Sequence, residues 1–494
     1  MTFHPLSSSP SRAVQAMEPH KLYINGEWVG GKGDQFIVSS PVDGRQLGVM
    51  PSATEEEVKA AVDAAEGAKE KWRMTSRFER ARLLLKAAEE LHRISGEAAE
   101  EVTAEMGKAI VPARHELEFA RKLIEDAAEE IKRLETSYIP CEDPKLRAFT
   151  TLEPYGVFAI IAPWNFPYVV PLTTLVYALA AGNTVVFKPA EQSPLSGERI
   201  IRCFEKAGLP KGVLNLVQGY GETTGEALTS SNKLDGVGFT GSIAVGKRIA
   251  AKQGDKLTHF VFELGGNGPI IVLDDADLSW TAQAIAESCF GNAGQDCQAG
   301  ERVLVQGGIY DELVDRVVKT TGTWKPGNPF REETKFGPLV AESIASKVDD
   351  HIADAVKKGA RIRAGGRRAE GFPTSLYYHS TVLEGVSPDM TIAQEETFGP
   401  VVPMVRCGSV DEAVELANSG EYGLASSVFT KDVRNAVLLS ERVKTGEVVV
   451  NYFSTIVDIN VPFGGMRKSG IGRANGKYGI MSFSQLKSVF WNVG

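Results

Sequence analysis

From residue 155 the sequence falls into short β-rich runs, 157–161 (VFAII), 184–188 (TVVFK), 213–217 (VLNLV), 236–239 (GVGF) and 259–264 (HFVFEL), with helical stretches between them. Few folds accommodate this alternation. Parallel strands joined by helices form right-handed crossovers, and the helices cover both faces of one sheet. The pattern predicts an α/β architecture of the nucleotide-binding type, with its sites at the carboxyl ends of the strands. A second series of apolar runs near 270–273, 302–306, 401–405 and 447–451 predicts a second α/β domain beginning near Gly265-Gly266. The 494 residues suffice for about two or three domains at roughly 150 residues each.

The N-terminal third is predicted to be helical. Thr54-Glu55-Glu56-Glu57 has the form of a capping box, and Val58, Ala61, Val62 and Ala65 then repeat on one face. Residues 77–106 and 112–134 continue with helix formers whose dense charge marks a solvated exterior. Residues 1–20 lack an apolar segment and read as a flexible lead, not a signal peptide. Tyr155 to Phe187 contains no charged residue and has the hydropathy of a membrane span, yet Pro163, Pro167 and Pro171 would break a spanning helix. A buried strand, a turn and a buried helix are expected there, with no membrane partner.

A net charge of −9 argues against a nucleic-acid-binding surface. Five scattered cysteines without a C-x-x-C pair fit a reducing, cytoplasmic compartment. Seven dispersed histidines give no metal-ligand spacing, so no metal is expected.

Three residues stand where chemistry is possible. Cys297, in Gly294-Gln295-Asp296-Cys297-Gln298-Ala299-Gly300, lies in a glycine-flanked loop between a helical segment and a strand, whereas the other cysteines lie in helical or ordinary loop contexts. Taken alone, a free cysteine is more often an inert buried residue than a nucleophile, and the loop placement between glycines favours the nucleophile here. Glu263 puts a carboxylate at the end of an apolar strand, either for catalysis or as a capping or ion-paired group. Asn165, in Pro163-Trp164-Asn165-Phe166-Pro167, is either an amide donor for a developing oxyanion or a residue that closes a turn.

Other strand ends suggest a dinucleotide. Lys188 and Glu191, in Lys188-Pro189-Ala190-Glu191, can bracket a ribose, and Gly241-Ser242 after Phe239 opens a helix whose amides can meet a phosphate. The usual G-x-G-x-x-G signature is missing. After Gly219-Tyr220-Gly221 its third glycine is replaced by Thr224, with Gly225 one place late, so a dinucleotide would bind differently from the usual Rossmann arrangement.

The motifs PWNFP, KPAE, FTGS, FELGG, GQDC, EETFGP and PFGG-x-x-x-SG-x-GR, in this order over about 155 to 473, resemble the aldehyde dehydrogenase superfamily, and YINGEW near Tyr23 extends the likeness over nearly the whole chain. The resemblance implies two parallel-sheet α/β domains plus a small β oligomerisation extension. The expected bounds are 21–134 with 155–264 for the dinucleotide-binding domain, 265–465 for the catalytic domain and 135–154 with 466–494 for the extension. It also implies homodimers or homotetramers, and an enzyme of the hydrolytic, non-acylating type that oxidises a small-molecule aldehyde with NAD or NADP.

By the same resemblance Cys297 is the nucleophile, Glu263 the general base and Asn165 the oxyanion donor. The cofactor set comprises Ile161, Trp164, Lys188, Glu191, Gly221 and Gly225, together with Phe239, Gly241, Ser242, Val245 and Leu264. Glu396 and Phe398 belong to the nicotinamide end. The Glu191 carboxylate should repel a 2′-phosphate, so NAD is expected over NADP. The expected substrate tunnel contains Phe166, Val170, Asp296, Gln298, Tyr452, Phe453 and Asp458.

Succinic-semialdehyde enzymes of the family carry arginines in stretches that here read Pro171-Leu172-Thr173-Thr174 and Tyr452 to Asp458, without a cation. A neutral aliphatic or aromatic aldehyde, or an amino-bearing one, is therefore expected over a carboxylated one. A succinate-semialdehyde-type enzyme, a plain thiol esterase and a non-catalytic, crystallin-like relative are the alternatives. Coenzyme-A-acylating relatives lack the glutamate that Glu263 supplies here.

Overall fold

The computed structural model of the chain describes residues 19–494. Of the lead expected over 1–20, only Pro19 and His20 fall among them, and His20 is anchored, its Nδ1 lying 2.7 Å from Glu198 Oε2.

The first sheet has eight strands, in the order Gly470–Ile471, His259–Leu264, Gly236–Gly241, Val157–Ile161, Thr184–Lys188, Leu214–Leu216, Leu22–Ile24 and Glu27–Val29. Its five central strands are parallel. Their Val, Ile and Phe residues are buried on both faces, which is why they read as continuous apolar runs and not as alternating ones. The chain starts at Val157–Ile161, moves two strands to one side, then returns to add Gly236–Gly241 on the other. The strand order thus reverses beside Val157–Ile161, and the crevice at such a reversal is where open α/β sheets bind ligands.

The uncharged stretch forms the strand Val157–Ile161, the helix Val169–Ala181 and the strand Thr184–Lys188. Pro171 falls in the first turn of that helix, where its missing N–H costs nothing. The helix is apolar nearly all round because it is enclosed by protein. Among the described residues no helix is long and apolar enough to cross a membrane.

The second sheet has seven strands, Arg361–Ala364, Thr381–Glu384, Val401–Cys407, Gly300–Gln306, Gly268–Val272, Ala425–Phe429 and Glu447–Val450, all parallel except the first. Cys407, expected in a helix or loop, closes the third of these. Both sheets are thus parallel in the centre and gain antiparallel strands only at their edges.

Helices Glu55–Met74, Arg77–Met106 and Ile110–Arg133 fill the N-terminal third. The capping box forms in both directions, with Glu57 N–H donating to Thr54 Oγ1 at 3.3 Å and Thr54 N–H to Glu57 Oε2 at 2.9 Å. The expectation of helix alone fails before residue 55, where four short strands occur. The first two make a hairpin whose Asn25-Gly26 turn has φ of 52° and 78°, values that Asn and Gly adopt cheaply.

A separate three-stranded antiparallel sheet joins Tyr138–Ile139, Leu146–Pro154 and Ser484–Asn492. The segment 466–494, expected to lie wholly in the extension, divides. Gly470–Ile471 pairs with Phe262 and Glu263 in the first sheet, and only the strand from Ser484 reaches the three-stranded one.

Candidate active site

The loop carrying Cys297 follows the helix Leu278–Phe290 and precedes the strand Gly300–Gln306. Its turn is tight, with Asn292 and Ala293 in left-handed backbone conformations. Gln295 braces it, accepting from Val340 N–H at 2.9 Å through Oε1 and donating to the Asn292 carbonyl at 3.0 Å. Asn165, reached from the end of Val157–Ile161, is tied to the same loop. Its Nδ2 donates to the Gln295 carbonyl at 3.2 Å, and its own carbonyl accepts from Asn292 Nδ2 at 3.1 Å. Only one of the two amide hydrogens of Asn165 is committed by that bond.

Glu263 sits one residue from the end of its strand, between Thr240 and Gly470 of the neighbouring strands. It is 5% exposed, and neither carboxylate oxygen has a hydrogen-bond partner among the described residues. Burial therefore pushes its carboxyl well above the usual range, Glu447 adds to this, and Arg473 with the nearby Gly465 amide pulls the other way. Gly464 is required beside it, since a Cβ there would lie 2.6 Å from Glu263 Oε1. Unpaired buried carboxylates are costly and concentrate at functional sites.

Cys297 and Glu263 line one cavity of about 110 Å³. Burial holds the Cys297 thiol well above its ordinary value, and the carboxylates of Asp296, Glu396 and Glu263 add to that. Phe166, Val170, Asp296 and Gln298 line it as expected, together with Leu264, which sequence reasoning had assigned to the cofactor. Asp296 accepts the Gln298 N–H at 2.9 Å, and burial raises its carboxyl to about 6, with Lys108 opposing.

The other three tunnel assignments are corrected. Tyr452 packs between Trp280 and Phe453, and Phe453 faces a different cavity of about 510 Å³. Asp458 is exposed and accepts from Asn460 N–H at 2.8 Å. The cause is Ser454, whose Oγ donates to the Gln298 carbonyl at 2.7 Å and whose N–H donates to Ser288 Oγ at 3.1 Å. Pinned there, the loop turns inward one residue later and presents Thr455 and Val457 instead. Val169, Thr173, Phe463 and Asn475 also line the cavity and were missed. For Thr173 the three-residue spacing from Val170 along the helix Val169–Ala181 was an available signal.

A second cavity, of about 570 Å³, opens at the strand-order reversal. Ile161, Trp164, Lys188, Glu191, Gly221, Gly225, Phe239, Gly241, Ser242 and Val245 all line it. Lys188 is 2% exposed, donates to the Pro189 carbonyl at 2.9 Å and lies 3.7 Å from Glu191, and burial lowers its ammonium to about 8. Ser242 caps the helix Ile243–Gln253, so free amides of a helix N-terminus face the space. A Cβ on Gly225 would touch Lys188 at 3.6 Å, and Gly221 has nothing within 4 Å. This cradle fits a dinucleotide. Arg248, Tyr220 and Gln192 line it as well and were not anticipated.

Glu396 and Phe398 lie outside both linings. Glu396 accepts from Gly266 N–H at 2.8 Å, and Phe398 meets Trp164 edge to face with ring centres 5.6 Å apart. Glu301, also missed, fixes that segment by accepting the Thr397 and Phe398 N–H groups, each at 3.0 Å. Among the described residues no group of three or more His, Cys, Asp or Glu is arranged to hold a metal ion.

The profile of the aldehyde dehydrogenase family matches residues 28–489. The chain belongs to that family. The chain is 38% identical over 471 residues to a 3-sulfolactaldehyde dehydrogenase of Pseudomonas putida, covering 95% of this chain and 96% of that one. Identity to an NADP(+) succinate-semialdehyde dehydrogenase of Escherichia coli is 35% over 466 residues, or 94% of this chain and 96% of that one. The crystal structure of an NAD-dependent aldehyde dehydrogenase from Sinorhizobium meliloti superposes with a TM-score of 0.93 at 35% identity, covering 99% of this chain and 97% of that one. The protein is thus an NAD(P)-dependent aldehyde dehydrogenase with the mixed α/β fold of its family.

Proposed function

We propose that this enzyme oxidises a neutral or amino-bearing aldehyde to its carboxylic acid, with NAD preferred and Cys297, Glu263 and Asn165 as the catalytic residues. The observation that carries the catalytic assignment is the shared cavity. Cys297 and the strand-end carboxylate of Glu263, whose oxygens have no partner among the described residues, face the same 110 Å³ space, and Asn165 joins them through its bond to the Gln295 carbonyl of the cysteine loop.

Cys297 adds to the aldehyde carbon as a thiolate, and its proton passes to a base. The Cys297 backbone N–H and the uncommitted hydrogen of Asn165 Nδ2 stabilise the oxyanion of the adduct. When bound, the dinucleotide supplies the hydride acceptor that converts the adduct to a thioester. Glu263 then takes a proton from water as its oxygen attacks the thioester carbon, releasing the acid and returning the Cys297 thiol. Lys188 and Glu191 would hold the adenosine ribose, Gly241 and Ser242 the pyrophosphate, and Glu396 with Phe398 the nicotinamide end.

Substrate charge follows from the lining, which includes Asp296 and Glu263 and no lysine, arginine or histidine. Behind the lining, Lys108 acts on Asp296 and Arg473 on Glu263, and Lys108 is buried against the Phe166 ring at 3.6 Å and paired with Glu116. Relatives at 35–38% identity include enzymes named for anionic aldehydes, 3-sulfolactaldehyde and the succinate, glutarate and alpha-ketoglutaric semialdehydes. Their example favours an anionic aldehyde, and the cavity opposes it. Across a chain-matched series at pH 8, kcat/KM for neutral and amino aldehydes should exceed that of the carboxylated member by roughly tenfold or more. Burial pushes the Asp296 carboxyl up to about 6, so the discrimination should weaken as pH falls through that region and in Asp296→Asn. Preference for the carboxylated member at pH 8 would refute the electrostatic reading.

For the cofactor, the Glu191 carboxylate opposes a 2′-phosphate, whereas Arg248 in the same cavity would attract one. The carboxylate adjoins buried Lys188 at the strand end, so NAD is expected to give the higher kcat/KM. Glu191→Ser should raise the NADP efficiency by at least about tenfold, because a like-charge contact is removed. Higher wild-type efficiency with NADP would reverse the assignment.

The three-stranded sheet leaves Leu486, Phe490 and Trp491 exposed on its terminal strand, which supports a homo-oligomer. The free cysteines support a reducing, cytoplasmic location.

A further inference from the structure

The lining of the Cys297 cavity contains two side-chain amides, Gln298 and Asn475, and both are locked the same way round. Gln298 Nε2 donates to Glu447 Oε2 at 2.7 Å and to the Ser454 carbonyl at 3.2 Å. Both neighbours are acceptors while Glu447 is ionised, so a flipped amide would set oxygen against oxygen. Asn475 Nδ2 faces the carbonyls of Asp458 and Val461, each at 3.4 Å. Two acceptors again fix the flip. With its two amine hydrogens committed, each amide has only its carbonyl oxygen left to offer.

Asn475 is 1% exposed, and its Oδ1 has no hydrogen-bond partner among the described residues. A buried acceptor left unsatisfied is costly, and a leucine would fill such a wall without that cost. The rest of the wall is largely apolar, with Phe166, Val169, Val170, Val457 and Phe463.

We propose that Gln298 Oε1 and Asn475 Oδ1 are paired acceptors for hydroxyl groups on the substrate, and that the enzyme selects hydroxylated aldehydes, with Glu447 as the positioning residue that orients Gln298. This rests on the proposed aldehyde oxidation at Cys297 and narrows its substrate class. At these two positions hydroxyl fits better than ammonium, because each offers a single neutral amide oxygen, whereas the charge of an ammonium would be drawn to the Asp296 carboxylate elsewhere in the lining. A substrate lacking the hydroxyl leaves Asn475 Oδ1 unpaired, and discrimination of this kind is large because the penalty is the site's own unsatisfied group.

The test is the initial rate of reduced-nicotinamide formation with propanal, 2-hydroxypropanal, 3-hydroxypropanal, 2,3-dihydroxypropanal and 3-aminopropanal. At least one hydroxylated member should exceed propanal in kcat/KM by at least about tenfold, with the dihydroxy compound highest. In Asn475→Leu that ratio should fall towards one. In Glu447→Gln, which lets the Gln298 amide turn over, it should fall at least about threefold through a rise in KM confined to the hydroxylated members, whereas any change in kcat that comes from the loss of the Glu447 charge near Glu263 is common to all five aldehydes and leaves the ratio untouched.

Propanal matching every hydroxylated aldehyde, 3-aminopropanal surpassing them, or a ratio unchanged in Asn475→Leu or Glu447→Gln would overturn the inference. If thermal melting shows that Asn475→Leu does not fold, the wild-type series and Glu447→Gln decide it. Failure of all five aldehydes would count against aldehyde oxidation at Cys297 itself, whereas oxidation of propanal without a hydroxyl preference would count against this inference alone.

Discussion

Cys297→Ser should reduce aldehyde oxidation by at least about 10⁴-fold while dinucleotide affinity stays within a few-fold of the parent. A serine hydroxyl is hardly ionised near neutral pH, and the surroundings of this position make ionisation harder still, since burial and three carboxylates already push up the thiol. No other cysteine can substitute. Cys203, Cys289 and Cys407 are buried, with thiols held well above their ordinary value, and Cys141 lies beside the short strand Tyr138–Ile139, and none of the four lines the cavity. The cofactor cradle has no contribution from Cys297, so nucleotide titration of the variant should give an affinity close to that of the parent. Near-normal turnover would remove Cys297 from the reaction.

Glu263→Gln should lower steady-state turnover by about 10² to 10⁴-fold, yet permit a first-turnover burst of reduced cofactor. The amide is nearly isosteric and cannot take a proton from water, so the acyl-enzyme should accumulate. Rapid-mixing absorbance measures the burst directly. If the burst vanishes too, the principal work of Glu263 is to accept the thiol proton. The pH profile carries the same assignment. Cys297 and Glu263 must each lose a proton to act, and burial raises both groups. Activity should therefore rise with pH through neutrality and beyond, well above the range where an ordinary glutamate titrates. A profile already flat from pH 5 upward would contradict the buried, unpartnered state of Glu263.

The parallel strands were legible because burial on both faces writes itself into the sequence as unbroken Val, Ile and Phe runs. The same physics hid the hairpin at Leu22–Ile24 and Glu27–Val29, whose three-residue strands are too short to show a period. Its Asn25-Gly26 turn was the usable signal, and it was read only as part of a family motif. In the site, residues fixed by the sheet were foreseeable, as with Glu263 at a strand end. Residues on the loop 452–458 were not, because a single bond pair at Ser454 determines which side chains turn inward. Asn475 was beyond reach for another reason. It arrives at the cavity from the far end of the chain, and nothing in its neighbours' spacing announces that arrival.

The bed of Glu263 is assembled from both directions of the chain. Its own strand is complete at Leu264, yet Gly470 pairs with it, Gly464 leaves room for its carboxylate and Arg473 faces it electrostatically. Some two hundred residues of intervening sheet and helix must be made before these pieces exist. Domains generally fold in order of synthesis, so a chain still on the ribosome can have its cradle and its cysteine loop in place with the base unhoused. Competence for hydrolysis therefore waits for the segment from Gly464 to Arg473, and a chain terminated before it is left with the parts of an enzyme but no turnover.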